Sequence, residues 1–233
     1  MNQVTSTQKV IKQANNPRRL LSIETSGVAC SVALSLEQEI LTEHTHRVSH
    51  IHDRMLATMI ERLMSDHGLK WDEIDAVAVS AGPGSFTGLR IGVSMAKALC
   101  IQNQPKLVGV PTLQALLEHV ISDLLVDPPH RLIAAYPSQR GQLYAQVFDS
   151  RDSGFEPPLL VSTDDFPKLF DSETLVCTTV EIPETTLHTK KIIIPLRAGF
   201  LVPLALRMLD RGEHTDSDRF VPMYVQDFTP KIR

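Results

Sequence analysis

A glycine-rich loop between an apolar run and a helical run most strongly limits how this chain can fold. Residues 80–90 read SAGPGSFTGLR, with small apolar residues at 76–81 before the loop and a helix-like run at 89–100 after it. Glycine permits the tight turn that such a junction needs. A strand that passes through a glycine-rich turn into a helix is typical of α/β proteins. The sequence therefore predicts an α/β fold built around this loop.

The spacing of the glycines shows whether this loop matches a known nucleotide-binding motif. Gly82, Gly84 and Gly88 are one residue too widely spaced for GxGxxG, and no lysine follows Gly88 as a P-loop requires. Free N–H groups at a helix start, with nearby hydroxyls and a basic side chain, can still attract an anion. The side chains concerned are Ser85, Thr87 and Arg90. Two interpretations stay open: a phosphate site, or a structural turn.

The order of elements around the loop predicts a mixed sheet. Runs at 20–26, 30–36 and 40–47 are close together and indicate an antiparallel meander. A helix with Ser49 as its N-cap, a strand at 76–81, a helix at 89–100, a strand at 107–110 and a helix at 112–125 follow. We expect a five-stranded sheet with crossing helices in the order βββαβαβα.

The second half of the chain is less regular. Strands are predicted at 131–136, 142–149, 174–180 and 191–194, with a short helix from Ser162, a helix at 197–209 and an extended segment at 220–225. Two prolines at 128–129 mark the predicted boundary. We expect a flexible basic extension at 1–19, a first domain at 20–127 and a smaller domain at 128–233.

Charge and cysteine content narrow the function classes. Residues 1–19 carry a net charge of +4 and the remainder −8, so the body of the chain is a poor nucleic-acid binder by itself. The three cysteines form no CxxC pair, which fits a reducing compartment such as the cytoplasm. No apolar stretch reaches the roughly 20 residues of a membrane span, so no membrane association is expected.

Small residues at every fourth position mark one face of the helix after the loop. Gly88, Gly92, Ala96 and Cys100 share this face and permit close approach of a neighbour. That neighbour is either the protein's own sheet or a helix of another chain. If it is another chain, Gly92→Leu should block pairing and leave the monomer folded.

Three sequence blocks resemble the bacterial TsaB family, also called YeaZ. They are LLSIETSGVACSVAL at 20–34, SAGPGSFTGLRIGVSMAKAL at 80–99 and LVGVPTLQAL at 107–116. The resemblance implies an actin-like (ASKHA, ribonuclease H-like) two-domain fold. It also implies a role in making threonylcarbamoyladenosine (t6A) beside the anticodon of ANN-decoding tRNAs, as the non-catalytic partner of the transferase TsaD.

The same resemblance implies a set of partners. The TsaD-type protein would form a heterodimer with this chain through its first two helices, and the same surface would permit a homodimer. A TsaE-type ATPase would bind the pair, a TsaC-type enzyme would supply threonylcarbamoyl-AMP, and tRNA would be contacted only through the complex. No cofactor is expected on this chain; ATP and metal are expected on the partner proteins. The predicted interface residues are Met55, Leu56, Met59, Gly88, Gly92, Met95 and Ala96.

Acidic residues test whether the chain is itself a nucleotide enzyme. Actin-like ATPases use an acid at the end of the first strand of each domain. Glu24 has that position in the first domain, but the matching stretch at 132–139 contains no acid. We therefore expect a degenerate phosphate loop and no catalytic residue, with an active actin-like nucleotide-binding kinase or carbamoyltransferase as the alternative. The degenerate loop comprises Glu24, Gly82, Gly84, Ser85, Thr87 and Arg90.

Histidine positions distinguish a TsaB-type protein from the TsaD-type transferase. TsaD-type proteins have an HxxxH metal pair after the fifth strand, whereas residues 111–117 here contain no histidine. His44, His46, His50 and His52 are close in sequence, but a solvated strand edge and helix start explain them better than a metal site does. No metal is therefore predicted.

Overall fold

A computed structural model describes residues 17–48, 52–124, 129–139, 141–152, 154–182 and 190–223. Several predictions lie outside these residues: most of the basic extension, the Ser49 cap, His50, the boundary at 127–128 and the end of the extended segment at 220–225. The extension and the domain limits therefore stay predictions.

The first sheet has five strands in the order β3-β2-β1-β4-β5. They are β1 (Arg19–Glu24), β2 (Cys30–Leu36), β3 (Glu39–His46), β4 (Ala76–Gly82) and β5 (Lys106–Pro111). The first three strands are antiparallel neighbours, while β1, β4 and β5 run parallel. The central strands are buried on both faces, which accounts for their nearly continuous apolar sequences. The predicted mixed five-stranded sheet is confirmed.

Two helices cover the outer face of this sheet. They are α1 (His52–Asp66) and α2 (Phe86–Asn103). Leu56, Met59, Ile60 and Leu63 of α1 are buried in one cluster with the outer side chains of β1, β2 and β4. The spacing of these four residues places them on a single helical stripe, so α1 packs as its periodicity predicts.

A second sheet follows the predicted boundary. Its strands are β6 (Arg131–Pro137), β7 (Gln142–Asp149), β8 (Gly154–Phe155), β9 (Leu159–Ser162), β10 (Leu175–Thr178) and β11 (Lys190–Ile193). The main order is β11-β10-β6-β7-β8, and β9 also pairs with β7. The predicted short helix from Ser162 is present but begins later and is a 3-10 helix, at Phe166–Leu169. β9 ends at Ser162, whose hydroxyl accepts from the Asp165 N–H at 3.0 Å just before this helix.

A layer of two helices lies between the sheets. The helix α3 (Thr112–His119), which continues as a π-helical turn at Val120–Leu124, packs mainly against β6 and shares an apolar cluster with side chains of β10. The helix α4 (Leu201–Asp210) belongs to the second half of the chain, yet its apolar face packs against Leu20, Ala78 and Val108 of the first sheet. The two sheets fall on opposite sides of the predicted boundary, but they share this middle layer.

A polar bridge joins the first sheet to the start of the α4 region. Glu43 of β3 accepts from the Gly199 N–H at 2.8 Å, and its other carboxylate oxygen is 3.5 Å from Arg197. The Ser31 hydroxyl of β2 accepts from the Ala198 N–H at 3.1 Å. These contacts, called the Glu43 bridge below, satisfy N–H groups at the start of a helical segment that would otherwise lack partners.

The described helices include none long and apolar enough to cross a membrane.

Candidate functional site

The glycine-rich loop joins the end of β4 to the start of α2. Gly82 has a φ of +102°, a conformation that favours glycine, and the Gly82–Pro83 peptide bond is cis. Ser85 is the N-cap of α2, and its hydroxyl accepts from the Gly88 N–H at 3.3 Å. The helix begins three residues earlier than its apolar pattern predicts because this cap extends it to Phe86.

The loop and α2 lie directly on the end of β1. The Ser85 N–H donates to the Ser26 carbonyl at 2.7 Å. A Cβ added to Gly88 would lie 2.0 Å from the Thr25 carbonyl oxygen, and one added to Gly92 would lie 2.2 Å from the Thr25 hydroxyl oxygen. The close neighbour of the small-residue face is therefore the protein's own sheet. Gly92→Leu would disturb the fold of the monomer, so the earlier expectation that it affects only pairing is corrected.

Glu24 is a buried carboxyl beneath this loop. It is 1% exposed, and one of its oxygens accepts from the Ser26 N–H at 2.6 Å and from the Ser26 hydroxyl at 2.5 Å. Burial disfavours the charged form and raises the pKa of Glu24 to about 7, although the Ser26 hydrogen bonds act in the opposite direction. Glu24 is therefore protonated in a substantial fraction of molecules near neutral pH, unlike an ordinary glutamate.

A cleft of about 360 Å³ opens where α1 and α2 begin. Its walls come from residues after β1, from the first turns of both helices and from Tyr136 near the end of β6. The lining residues are Gly27, Val28, His52, Asp53, Ser85, Thr87, Gly88, Ile91 and Tyr136. None of these described lining residues is a lysine or an arginine, and Asp53 adds a carboxylate, so the described lining offers phosphate no permanently cationic side chain.

Tyr136 lies in the stretch of the second sheet where an actin-like ATPase would have its second acid. Burial is the main cause that raises the pKa of Tyr136 to about 12, with a smaller contribution from the nearby Glu24. Arg90, predicted as a possible phosphate ligand, instead places its guanidinium 3.9 Å from the centre of the Phe86 ring. The arrangement offers one buried acid, Glu24, and two hydroxyls, Ser85 and Thr87.

The predicted interface residues divide into two groups. Leu56, Met59, Gly88, Gly92 and Ala96 are buried within the chain. Met55 and Met95 are partly exposed, and Ile91, one turn before Met95, is also partly exposed. The outer surface formed by Met55, Ile91 and Met95 is called the α1–α2 face below. The sequence analysis did not single out Ile91, although its spacing of four from Met95 was a usable signal.

The clustered histidines have different surroundings. His52 is buried and its ring nitrogen Nε2 is 3.1 Å from the Ala29 carbonyl oxygen, while His44 and His46 lie on β3. Within the described segments, no three His, Cys, Asp or Glu side chains are grouped as metal ligands would be. The absence of a metal stays a prediction for the whole chain.

The two mixed sheets and their helices define the class as an α/β protein with an actin-like fold. Two solved structures support the fold, both from Pseudomonas aeruginosa: YeaZ, and a protein described as uncharacterised with similarity to peptidase YeaZ. The latter has a TM-score of 0.75 and 23% identity, covering 90% of this chain and 100% of that chain. For YeaZ the TM-score is 0.73 and the identity 23%, with coverage of 89% and 99%.

Sequence comparisons give the family. The model described as "TsaD: tRNA N6-adenosine threonylcarbamoyltransferase" matches residues 27–154, over half of the chain. The tRNA threonylcarbamoyladenosine biosynthesis protein TsaB of Escherichia coli K12 is 29% identical over 136 residues, which are 58% of this chain and 57% of that protein. TsaB of Bacillus subtilis 168 is 26% identical over 59% of this chain and 58% of that protein.

A transferase also matches, over a shorter segment. The tRNA N6-adenosine threonylcarbamoyltransferase of Burkholderia cenocepacia HI2424 is 37% identical over 78 residues, which are 34% of this chain and 22% of that enzyme. The matched region spans about half the length of the TsaB relatives. The chain belongs to the TsaD family, on its TsaB (YeaZ) branch.

Proposed function

We propose that this chain is a non-catalytic subunit of the machinery that forms threonylcarbamoyladenosine on tRNA. The observation that carries the proposal is the incomplete cleft. Glu24 is present at the end of β1, but Tyr136 and the acid-free sequence after it occupy the corresponding part of the second sheet. Chemistry on a nucleotide would need the missing acid and a cationic contact to phosphate.

The proposed partner is a TsaD-type transferase, which would transfer the threonylcarbamoyl group. The names of the relatives support a role in this pathway, and residues 111–117 lack the histidine pair that the resemblance assigns to the transferase. The chain would therefore assist catalysis by binding the enzyme. ATP and metal would reside on partner proteins, and a TsaE-type ATPase would join the complex in the cytoplasm.

The α1–α2 face is the proposed contact surface. Met55, Ile91 and Met95 are apolar, partly exposed and supported from beneath by the core of the first sheet. Methionine side chains adapt readily to different neighbours, which suits a surface that could accept either a transferase or a second copy of this chain. Contact with tRNA would be made through the assembled complex.

The test is light scattering behind size exclusion, with this chain alone and then mixed with the TsaD-type protein of the same organism. A one-to-one complex is expected. Two unchanged peaks, also with ATP and the TsaE-type protein present, would remove the proposed partner. Calorimetry of the isolated chain with Mg-ATP tests the alternative of an active nucleotide enzyme, and we expect no binding heat because the described lining of the cleft contains no lysine or arginine.

A further inference from the structure

The segment at 215–223, called the C-terminal strap below, lies along the free edge of the first sheet. β5 is the edge strand, and the strap binds its outward-facing groups. The Thr215 N–H donates to the Leu107 carbonyl at 2.7 Å, and the Thr215 hydroxyl accepts from the Gly109 N–H at 2.9 Å. The strap thus satisfies backbone groups that an exposed edge would leave unpaired.

Phe220 fixes the middle of the strap. A Cβ added to Gly109 would lie 2.6 Å from the Phe220 ring, so the ring occupies the space above this glycine. The Phe220 carbonyl also accepts from the Lys97 ammonium group of α2 at 3.2 Å. The strap therefore contacts both β5 and the helix that carries Ile91 and Met95.

The end of the strap reaches the glycine-rich loop. The Met223 N–H donates to the Ala81 carbonyl at 2.7 Å. A Cβ added to Gly82 would lie 2.8 Å from the Met223 carbonyl oxygen, so the two backbones are in close contact at the point where β4 turns toward α2. The strap thus holds α2 at two places: at the loop before it and at Lys97 within it.

We infer that the C-terminal strap is a positioning device for α2, which ties the orientation of the α1–α2 face to the chain's C-terminal segment. The link to docking rests on the proposed function; the effect on α2 does not. Release of the strap would free the loop at 82–85 and the first turns of α2. The affinity for a TsaD-type partner would then fall, although no strap residue belongs to the α1–α2 face.

Hydrogen exchange of the full chain, read by mass spectrometry, tests the effect on α2. Phe220→Ala removes the ring over Gly109, and Lys97→Met removes the contact between helix and strap. In both variants we expect amide exchange at 82–95 to become at least about fivefold faster. This factor is the lower end of the range typical for energetic coupling between two sites, here the strap and α2. Phe220→Leu should restore most of the protection, and peptides from β2 and β3 should be unchanged.

Val221→Ala is the matched control, because Val221 is 69% exposed and adjoins Phe220. It should leave exchange at 82–95 as in the wild type. Unchanged exchange in both Phe220→Ala and Lys97→Met would overturn the inference, as would a uniform increase across the first sheet, which indicates general destabilisation.

Titration of the same variants with the TsaD-type protein tests the consequence for docking. We expect affinity to fall at least about fivefold in Phe220→Ala. Faster exchange with unchanged affinity would overturn the link to docking. If the wild-type chain does not bind the partner at all, the proposed function fails, and the exchange data alone decide whether the strap positions α2.

Discussion

At the scale of single residues, the loop glycines serve packing. Gly88 lies in the first turn of α2, directly against the Thr25 carbonyl, and a Cβ added to Gly84 would lie 2.7 Å from Ser26. Each lacks the space for a methyl group. The glycines that first suggest a phosphate site are therefore required by close contact between β1 and α2.

Gly88→Ala tests this account. Alanine is the better helix former by about 1 kcal/mol, so helix propensity alone predicts a more stable protein. A Cβ at this position would lie 2.0 Å from the Thr25 carbonyl oxygen, which predicts instead a loss of about 1–3 kcal/mol because buried backbone must move. Urea unfolding measures the difference. Ser94→Ala, at an exposed position of α2, is the control and should change stability by less than about 0.5 kcal/mol. A stabilised Gly88→Ala would refute the packing role.

The raised pKa of Glu24 predicts that the stability of the folded protein decreases as pH rises. Its pKa is about 7 in the folded chain against 4.5 as the ordinary value, so the folded state binds more protons between these limits. The free energy of unfolding should therefore fall as pH rises from 4.5 through 7. Glu24→Gln removes this titration, so the stability of the variant relative to wild type should rise by up to about 3 kcal/mol between pH 4.5 and pH values above 7.

Chemical unfolding at several pH values provides the measurement. Glu37→Gln is a control of opposite sign, because hydrogen bonds from Arg18 lower the pKa of Glu37 and the stability it contributes is lost as pH falls. Parallel curves for wild type and Glu24→Gln from pH 4.5 to 8 would contradict the assignment of a raised pKa.

At the scale of elements, α2 links the core to the outer surface. Its buried face carries Val93 and Ala96, while Ile91 and Met95 remain partly exposed. An interface on this helix can therefore be changed without altering the residues that hold the helix in place.

Met95→Glu should separate binding from folding. A charge on the α1–α2 face would have to be desolvated on pairing, so we expect affinity for the TsaD-type protein to fall at least about tenfold. The thermal midpoint should stay within a few degrees of wild type. Ile101→Glu is the matched control, since Ile101 lies on the same helix, is 65% exposed and is outside the proposed surface. Equal losses in both variants would exclude the α1–α2 face as the specific contact.

Elements with strong local signals could be predicted from the sequence. The five strands of the first sheet and α1 follow directly from apolar periodicity and turn residues. β8 and β9 could not be predicted, because two and four residues are too short to show alternation. The cleft could not be predicted either. One of its walls is Tyr136, which is far from the glycine-rich loop in sequence and lies beside it only because the second sheet packs there. The sequence predicts a helix at 197–209, but it could not show which sheet the apolar face of α4 covers.

At the scale of the whole molecule, the Glu43 bridge connects two parts of the chain more than 150 residues apart. Glu43 belongs to the antiparallel edge of the first sheet, and Gly199 belongs to the segment that leads into α4. The bridge therefore helps to place α4 against a sheet formed by much earlier residues.

Glu43→Ala should lower the free energy of unfolding by about 1–3 kcal/mol, because the Gly199 N–H loses its acceptor in a partly buried position. Glu43→Gln keeps an oxygen acceptor and should lose less. Glu39→Ala, an exposed glutamate on the same strand, should have little effect. Denaturant unfolding and hydrogen exchange at 198–210 measure these differences; equal stability of Glu43→Ala and Glu39→Ala would show that the bridge contributes nothing.

The position of α4 has a consequence for synthesis on the ribosome. The strands of the first sheet are translated by residue 111, but the helix that covers their inner face ends only at Asp210. A nascent chain that has released only its first half thus presents Leu20, Ala78 and Val108 to water or to chaperones. The earliest sheet is covered only when α4, the last helix in the described part of the chain, has emerged, so we expect the final packing of this sheet to follow synthesis of the second half.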